Sequence, residues 1–195
     1  LTNLPNKELC HNRLEHALAR AARNNTSIAV LFISIDDFKT VNDQQGQDGG
    51  DKLLLQIAKR LSSQLRSGDT LARVSGVDFI ILLETVSPTD NINMFAGKVL
   101  SKLTKCYRIA MQEVYITGNV GVAVYPNDGE YGKELIKHAD TAMCFAKEQG
   151  RNRLAFFSKE LHDQMNIKKK IAEQLRGAME RNELILHFQP IIATD

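Results

Sequence analysis

Leu71-Ala72-Arg73-Val74-Ser75-Gly76-Val77-Asp78-Phe79-Ile80-Ile81-Leu82-Leu83, residues 71–83, holds two apolar runs around a short link of small and polar residues. A strand over Leu71 to Val74, a tight link at Ser75 and Gly76, and a second strand over Phe79 to Leu83 read as a β-hairpin. Upstream, Leu53, Ile57, Leu61 and Leu65 recur every four residues and predict a helix, preceded by a polar, glycine-rich stretch from Asp43 to Asp51 expected to be a loop. Before that, Ile28 to Ile35 is a continuous apolar run rich in branched residues, which fits a central strand buried on both faces. A first helix is expected over Lys7 to Arg23, with Cys10, Leu14, Ala17, Leu18 and Ala21 on one side and Pro5 suited to its first turn. Downstream, Ile92, Phe95, Ala96, Val99 and Leu103 predict another amphipathic helix. A strand interrupted by Gly118 and Gly121 follows over Val114 to Tyr125, ended by Pro126 and Gly129. A helix over Lys133 to Glu148 and a last strand over Leu154 to Phe157 complete the series. This order implies an α+β or α/β fold with a mixed central sheet flanked by helices, since the short link favours the hairpin and the helices supply the crossovers.

The tail changes character. From Ser158 to Arg181 a charged helix carries Leu161, Met165, Ile171, Leu175 and Met179 as a stripe that is expected to bury against a partner, and an apolar piece, Leu184 to Ile192, follows it. With 195 residues, 43% hydrophobic and 25% charged, the chain can bury a full core and falls near the size of one domain with an appendage. A formal net charge of +2 provides no broad field for nucleic acid or an anionic membrane, so an anionic ligand must be held locally. Cys10, Cys106 and Cys144 are scattered and odd in number, which favours simple thiols in a reducing compartment. His11, His16, His138, His162 and His187 share no metal spacing and read as surface or packing residues. No apolar stretch reaches the ~20 residues that span a bilayer, no membrane contact is expected of this segment, and a cytoplasmic location is expected. The abrupt ends suggest a segment of a longer chain.

The hairpin tip Ser75-Gly76-Val77-Asp78-Phe79 resembles the GGDEF signature of diguanylate cyclases with its first, third and fourth positions altered. The flanking pieces appear in the family order: residues 1–6 (LTNLPN), 36–43 (DDFKTVND), Gly50-Asp51, 139–143 (ADTAM) and 146–153 (AKEQGRNR). Residues 175–179 (LRGAM), Glu183-Leu184 and 187–191 (HFQPI) resemble the opening of the EAL phosphodiesterase domain that often follows a GGDEF domain. The resemblance implies a nucleotide-cyclase-like fold and three parts: a GGDEF-like domain over 1–157, a linker helix over 158–182, and a truncated EAL beginning over 183–195.

Joining two GTP molecules into cyclic di-GMP needs metal ions that activate a 3′-hydroxyl and neutralise phosphate, and hard cations such as Mg²⁺ prefer carboxylates. In the family these come from the end of the first strand and the third signature position, which here carry Ser34 and Val77. No metal is therefore expected, and Mg²⁺ would enter only with residual cyclase activity or with GTP. Asp36 and Asp78 lie close by in sequence and read most simply as turn caps, the alternative being a displaced metal site. The resemblance implies guanine contacts at Asn42 and Asp51, a carboxylate being suited to two adjacent guanine N–H donors; taken singly, Asn42 is a turn former and Asp51 an acid near a helix start. It implies phosphate contacts at Lys147 and Arg151, expected one turn apart on the last helix, which otherwise read as a solvated helix end. Backbone N–H groups of the Gly46 to Gly50 stretch could also approach phosphate. Arg66-Ser67-Gly68-Asp69 matches the inhibitory site at which many members bind cyclic di-GMP, although an Arg and an Asp at this spacing also suit a helix end. The expected function is a GGDEF domain without cyclase activity that binds GTP or cyclic di-GMP and regulates an adjoining EAL domain. The rivals are an active cyclase and a purely structural or homodimerising domain.

Overall fold

The computed structural model describes residues 1–86 and 91–178, together with Arg181, Glu183 and His187. The expected piece from Leu184 to Ile192 apart from His187, Met179 of the stripe and most of the EAL-like beginning lie outside the described residues.

Helix α1 (Lys7–Asn24) starts where Asn6 caps it, its side chain accepting from the Leu9 N–H at 2.9 Å. Strand β1 (Ser27–Ile35) leads into α2 (Phe38–Ser62), then β2 (Thr70–Ser75), β3 (Asp78–Val86), α3 (Ile92–Leu103), β4 (Tyr107–Ile109), β5 (Gln112–Val114), β6 (Gly118–Tyr125), α4 (Gly132–Glu148), β7 (Leu154–Phe156) and α5 (Lys159–Ala178). Five strands form one mixed sheet in the order β2-β3-β1-β6-β7, with β1 antiparallel to both neighbours and β7 parallel to β6. The expected mixed sheet flanked by helices is therefore present.

Strand β1 lies at the centre for the reason its unbroken apolar run suggests. Ala29, Leu31, Ile33 and Ile35 enter a core shared with α2 and α3, while Ile28, Val30 and Phe32 enter a second core shared with α1 and α4. Alternate residues thus serve opposite faces. Each fully buried Leu, Ile or Phe contributes roughly 1.5–3 kcal/mol of transfer free energy, so β1 anchors both layers. Gly121 lets α4 lie directly on β6: a Cβ there would stand 2.0 Å from the Ala139 carbonyl oxygen and 2.1 Å from the Met143 nitrogen.

Four local expectations are corrected. Asp43 to Asp51 is not a loop; α2 runs through it, bent only at Gly46, whose φ of 71° and ψ of 173° leave the helical region. Helix α2 ends at Ser62, so Leu65 lies beyond it. The hairpin turn is Gly76-Val77, Ser75 being the last residue of β2. The strand expected over Val114 to Tyr125 is two elements, β5 ending at Val114 and β6 starting at Gly118, and β5 pairs with β4 in a separate small sheet.

The chain divides into a compact unit, Leu1–His162, and a second from Asp163 onward. Of the expected stripe on α5, Leu161 is buried and Met165 half-buried, whereas Ile171 and Leu175 are exposed. Among the described residues, no helix is long and apolar enough to cross a membrane.

Candidate functional site

The C-terminal end of β1 and the turn into α2 collect most of the polar side chains of interest. Ser34 is buried, paired across the sheet with Asp78 of β3 on one side and Asn119 of β6 on the other. Two residues on, the Asp36 carboxylate is also buried and accepts hydrogen bonds from Thr117 Oγ1 at 2.9 Å and Asn119 Nδ2 at 3.1 Å. Lys147 Nζ, in the last turn of α4, stands 3.4 Å from Asp36 Oδ1. Asp36 is thus the hub of a four-residue network rather than a turn cap, and burial with three donors keeps it in place.

Asp37 behaves differently. It occupies the N-cap position of α2 in the left-handed region, φ 55°, and makes no capping bond with its side chain. The carboxylate reaches outward to a two-point ion pair with Arg151, one arm being Nη2 to Oδ1 at 3.3 Å. Arg151 is not on the helix as expected: α4 ends at Glu148, and the chain turns through Gly150, φ 127°, before reaching it. Lys147 and Arg151 nevertheless converge on the same β1–α2 turn.

The two halves of α2 meet at Asn42 and Gly50. A Cβ on Gly50 would lie 1.9 Å from Asn42 Oδ1 and 2.9 Å from Phe38 Cζ, so the Asn42 amide rests on the bare backbone of Gly50, directly before Asp51. Asn42 Oδ1 is buried with no hydrogen-bond partner. A buried amide oxygen without a donor is uncommon and costs about 1–3 kcal/mol. Asp51, the residue after Gly50 along α2, is half-buried.

At the hairpin tip, Arg73 braces the turn through Nε and Nη2, which both donate to the Gly76 carbonyl oxygen at 3.0 and 2.6 Å. Ser75 Oγ donates to Asp78 Oδ2 at 2.5 Å, so Asp78 does close the turn. Val77 packs against the core shared by α2 and α3. Asp78 lines a groove of about 720 Å³ with Phe32, Val74, Ile80, Ile136 and Asp140. Burial holds the Asp140 carboxyl above the usual carboxylate range, and the negative charge of Asp78 raises it further. Among the described residues, no three His, Cys, Asp or Glu side chains gather as a metal-binding group.

Arg66 and Asp69 are not on a helix end; they frame a separate turn, in which Asp69 Oδ2 accepts from the Arg66 N–H at 2.9 Å and the Asp69 N–H donates to the Arg66 carbonyl at 3.1 Å. Both line a cavity of about 460 Å³ with Leu83, Glu84, Ile92 and Phe95. His138 stacks on Phe157 at 3.9 Å with His162 edge-on at 5.7 Å, a packing role. Sequence reasoning missed Thr117, Asn119 and Arg73, and it missed the pairing of Asp37 with Arg151.

A five-stranded sheet with a braced hairpin, and a polar network joining the β1–α2 turn to the end of α4 and the turn after it, define a nucleotide-cyclase-like α+β domain. The chain belongs to the GGDEF family: residues 1–153 match the family described as diguanylate cyclase, GGDEF domain. It is 40% identical over 190 residues to MucR of Pseudomonas aeruginosa, a bifunctional diguanylate cyclase/cyclic di-GMP phosphodiesterase, covering 97% of this chain and 28% of that protein. The solved GGDEF domain of TpbB from Pseudomonas aeruginosa superposes with a TM-score of 0.78 at 33% identity, over 81% of this chain and 99% of that one. An EAL/GGDEF domain protein from M. capsulatus gives 0.67 at 40% identity, over 79% and 99%. The chain spans under a third of the length of the first curated relatives it matches.

Proposed function

We propose that this GGDEF domain holds a guanine nucleotide without converting it to cyclic di-GMP, and that binding regulates an adjoining EAL phosphodiesterase in the longer protein to which it belongs. The observation that carries this reading is the unpartnered, buried Asn42 Oδ1, which lies against Gly50, the residue before Asp51. A guanine edge supplies the missing donor to the amide oxygen and two further N–H groups to the carboxylate. Lys147 and Arg151 both reach the β1–α2 turn that precedes Asn42 and suit phosphate. The loss of chemistry rests on Ser34 and Val77, a neutral hydroxyl and an alkyl group packed against the core, where a magnesium pair needs carboxylates. Asp78 is not a ready substitute, because its carboxylate closes the hairpin turn. Those residues do not fit the metal pair, so no catalytic step is routed through one.

The EAL neighbour is supported by the M. capsulatus EAL/GGDEF protein and by the second activity in the name of MucR. We take the GGDEF part as 1–157, the linker as 158–182 and the EAL beginning as 183–195. Nucleotide binding regulates a neighbour only by preferring one arrangement of the two, and typical couplings of about 1–3 kcal/mol correspond to 5- to 150-fold changes in affinity.

The test titrates GTP against phosphodiesterase activity of the full-length protein, with ATP as control and Asp51→Ala as the variant. GTP is expected to change activity, and ATP and the variant are not. Equal action by ATP, or none by GTP, favours the structural rival. In parallel, GTP with Mg²⁺ should give no cyclic di-GMP; turnover on the order of 1 per second would establish the active-cyclase rival instead. If Arg66 and Asp69 hold cyclic di-GMP, Arg66→Ala should weaken its binding by about 1.5–3 kcal/mol, the range for a charge-assisted hydrogen bond.

A further inference from the structure

The β1–α2 turn, where Lys147 and Arg151 converge, is electrically balanced. Two cations, Lys147 and Arg151, face two carboxylates, Asp36 and Asp37, and each cation is already engaged. The two carboxylates are not equivalent. Asp36 is buried and fixed by Thr117 and Asn119, so it belongs to the framework whatever Lys147 does. The Asp37 side chain is about half exposed and bonds neither its own helix nor the sheet, although it stands at an N-cap where a carboxylate normally accepts from the first turn. It is instead extended onto the guanidinium of Arg151, in the two-point geometry that a phosphate would use.

We propose that Asp37 acts as a tethered stand-in for phosphate on Arg151, so that the site selects the guanine base with little regard for the number of phosphates attached. This rests on the guanine reading of Asn42 and Asp51 given above. The physical basis is charge balance. A triphosphate entering this seat gains Lys147 and Arg151 but must displace Asp37 and lie beside both carboxylates, with none of the family's metal carboxylates to recruit a neutralising cation. Each added phosphate therefore brings attraction and repulsion of similar size, so the affinity for GMP, GDP and GTP alike comes almost wholly from the shared base. A domain of this kind responds to the total guanine nucleotide pool rather than to GTP alone.

The experiment is calorimetric titration of the 195-residue chain with GMP, GDP and GTP in the presence of a chelator, repeated for Asp37→Asn, Asp37→Asn with Arg151→Ala, and Asp51→Ala. Asparagine removes only the charge and tolerates the positive φ, which keeps the turn intact; circular dichroism and melting of each variant confirm the fold, and Asp37→Ser gives a second neutral form. For the parent chain the three affinities are expected to agree within about threefold. Asp37→Asn should tighten GTP relative to GMP by about fivefold, which is what ~1 kcal/mol for one unit charge about 4 Å away amounts to at 1.4 kcal/mol per tenfold, and removal of Arg151 should cancel that gain. A parent chain that prefers GTP over GMP tenfold, or a ratio unmoved by both Asp37 variants, overturns the role of Asp37 while leaving the guanine reading intact. Absence of binding by all three nucleotides, or binding unaffected by Asp51→Ala, overturns the guanine reading and this inference with it.

Discussion

Replacing Gly50 by alanine separates the geometry of the guanine pocket from ordinary helix energetics. Within a helix, Gly→Ala normally stabilises by about 1 kcal/mol, because alanine loses less backbone entropy on folding. Gly97, in the middle of α3, is the internal standard, since a Cβ there meets nothing within 4 Å. Gly97→Ala should therefore raise the melting midpoint by roughly 1–4 °C, at about 2–4 °C per kcal/mol for a chain of this size. At Gly50 the same methyl group would sit 1.9 Å from Asn42 Oδ1 and 2.9 Å from Phe38 Cζ. Overpacking of this kind costs about 1–3 kcal/mol, so the helix gain is cancelled or exceeded and the midpoint should fall by up to roughly 8 °C. The cheapest relief is rotation of the Asn42 amide away from Gly50. That removes one neutral hydrogen bond to the base, about 0.5–1.5 kcal/mol, so GMP and GTP should both weaken by roughly 2- to 12-fold. Differential scanning calorimetry and nucleotide titration on both variants give the two numbers. If Gly50→Ala melts as far above the parent as Gly97→Ala, the close approach of the two halves of α2 is wrong. If it destabilises but binds guanine nucleotides like the parent, Asn42 does not hold the base.

Arg60 donates to the carbonyl oxygens of Lys102, Lys105 and Cys106 and lies 3.7 Å over the Tyr107 ring, so it ties α2 to the turn after α3. Arg60→Ala should cost about 2–3 kcal/mol, with Arg60→Lys recovering only part; a midpoint within 1 °C of the parent would remove Arg60 from the stability account. Burial pushes the Cys10 thiol up to about 11, which leaves roughly a thousandth of it as thiolate at pH 8. Exposed Cys144 should therefore label first with a thiol reagent and Cys10 only in denaturant, and equal native rates would contradict its burial. Because burial and Asp78 raise the folded-state pKa of Asp140, its ionised form opposes folding: the penalty is absent below the unfolded value near 3.8 and grows as pH rises through the folded one. Asp140→Asn should thus raise the melting midpoint at pH 7.5 and leave it unchanged near pH 3, and the opposite order would show that the carboxylate is a favoured anion.

Where one residue's pattern reports directly on burial, the sequence is a faithful guide. The unbroken run of β1, the i, i+4 rows of α1 and α4, and the hairpin of β2 and β3 are all legible on that basis. Sequence reading fails where a contact between distant elements overrides local preference. Gly49 and Gly50 read as loop residues because glycine is a poor helix former, yet they lie in α2, and at Gly50 the missing Cβ is what admits Asn42. The β4–β5 hairpin was invisible because its turn is Ala110-Met111, both at positive φ, where glycine or asparagine is the usual sign. Its strands of three residues are also too short to show a period. The candidate site follows the same division. Asn42, Asp51, Lys147 and Arg151 were nominated by resemblance, whereas the role of Asp36 depends on Thr117 and Asn119, 81 and 83 residues away. Asp37 is the sharpest instance. Read from sequence alone, Asp37 has no task of its own, and only the turn that carries Arg151 off the end of α4 gives that carboxylate its partner. The residue that balances Arg151 is therefore one that its local sequence does not single out, because its position relative to Arg151, 114 residues later, is a property of the sheet and not of the segment.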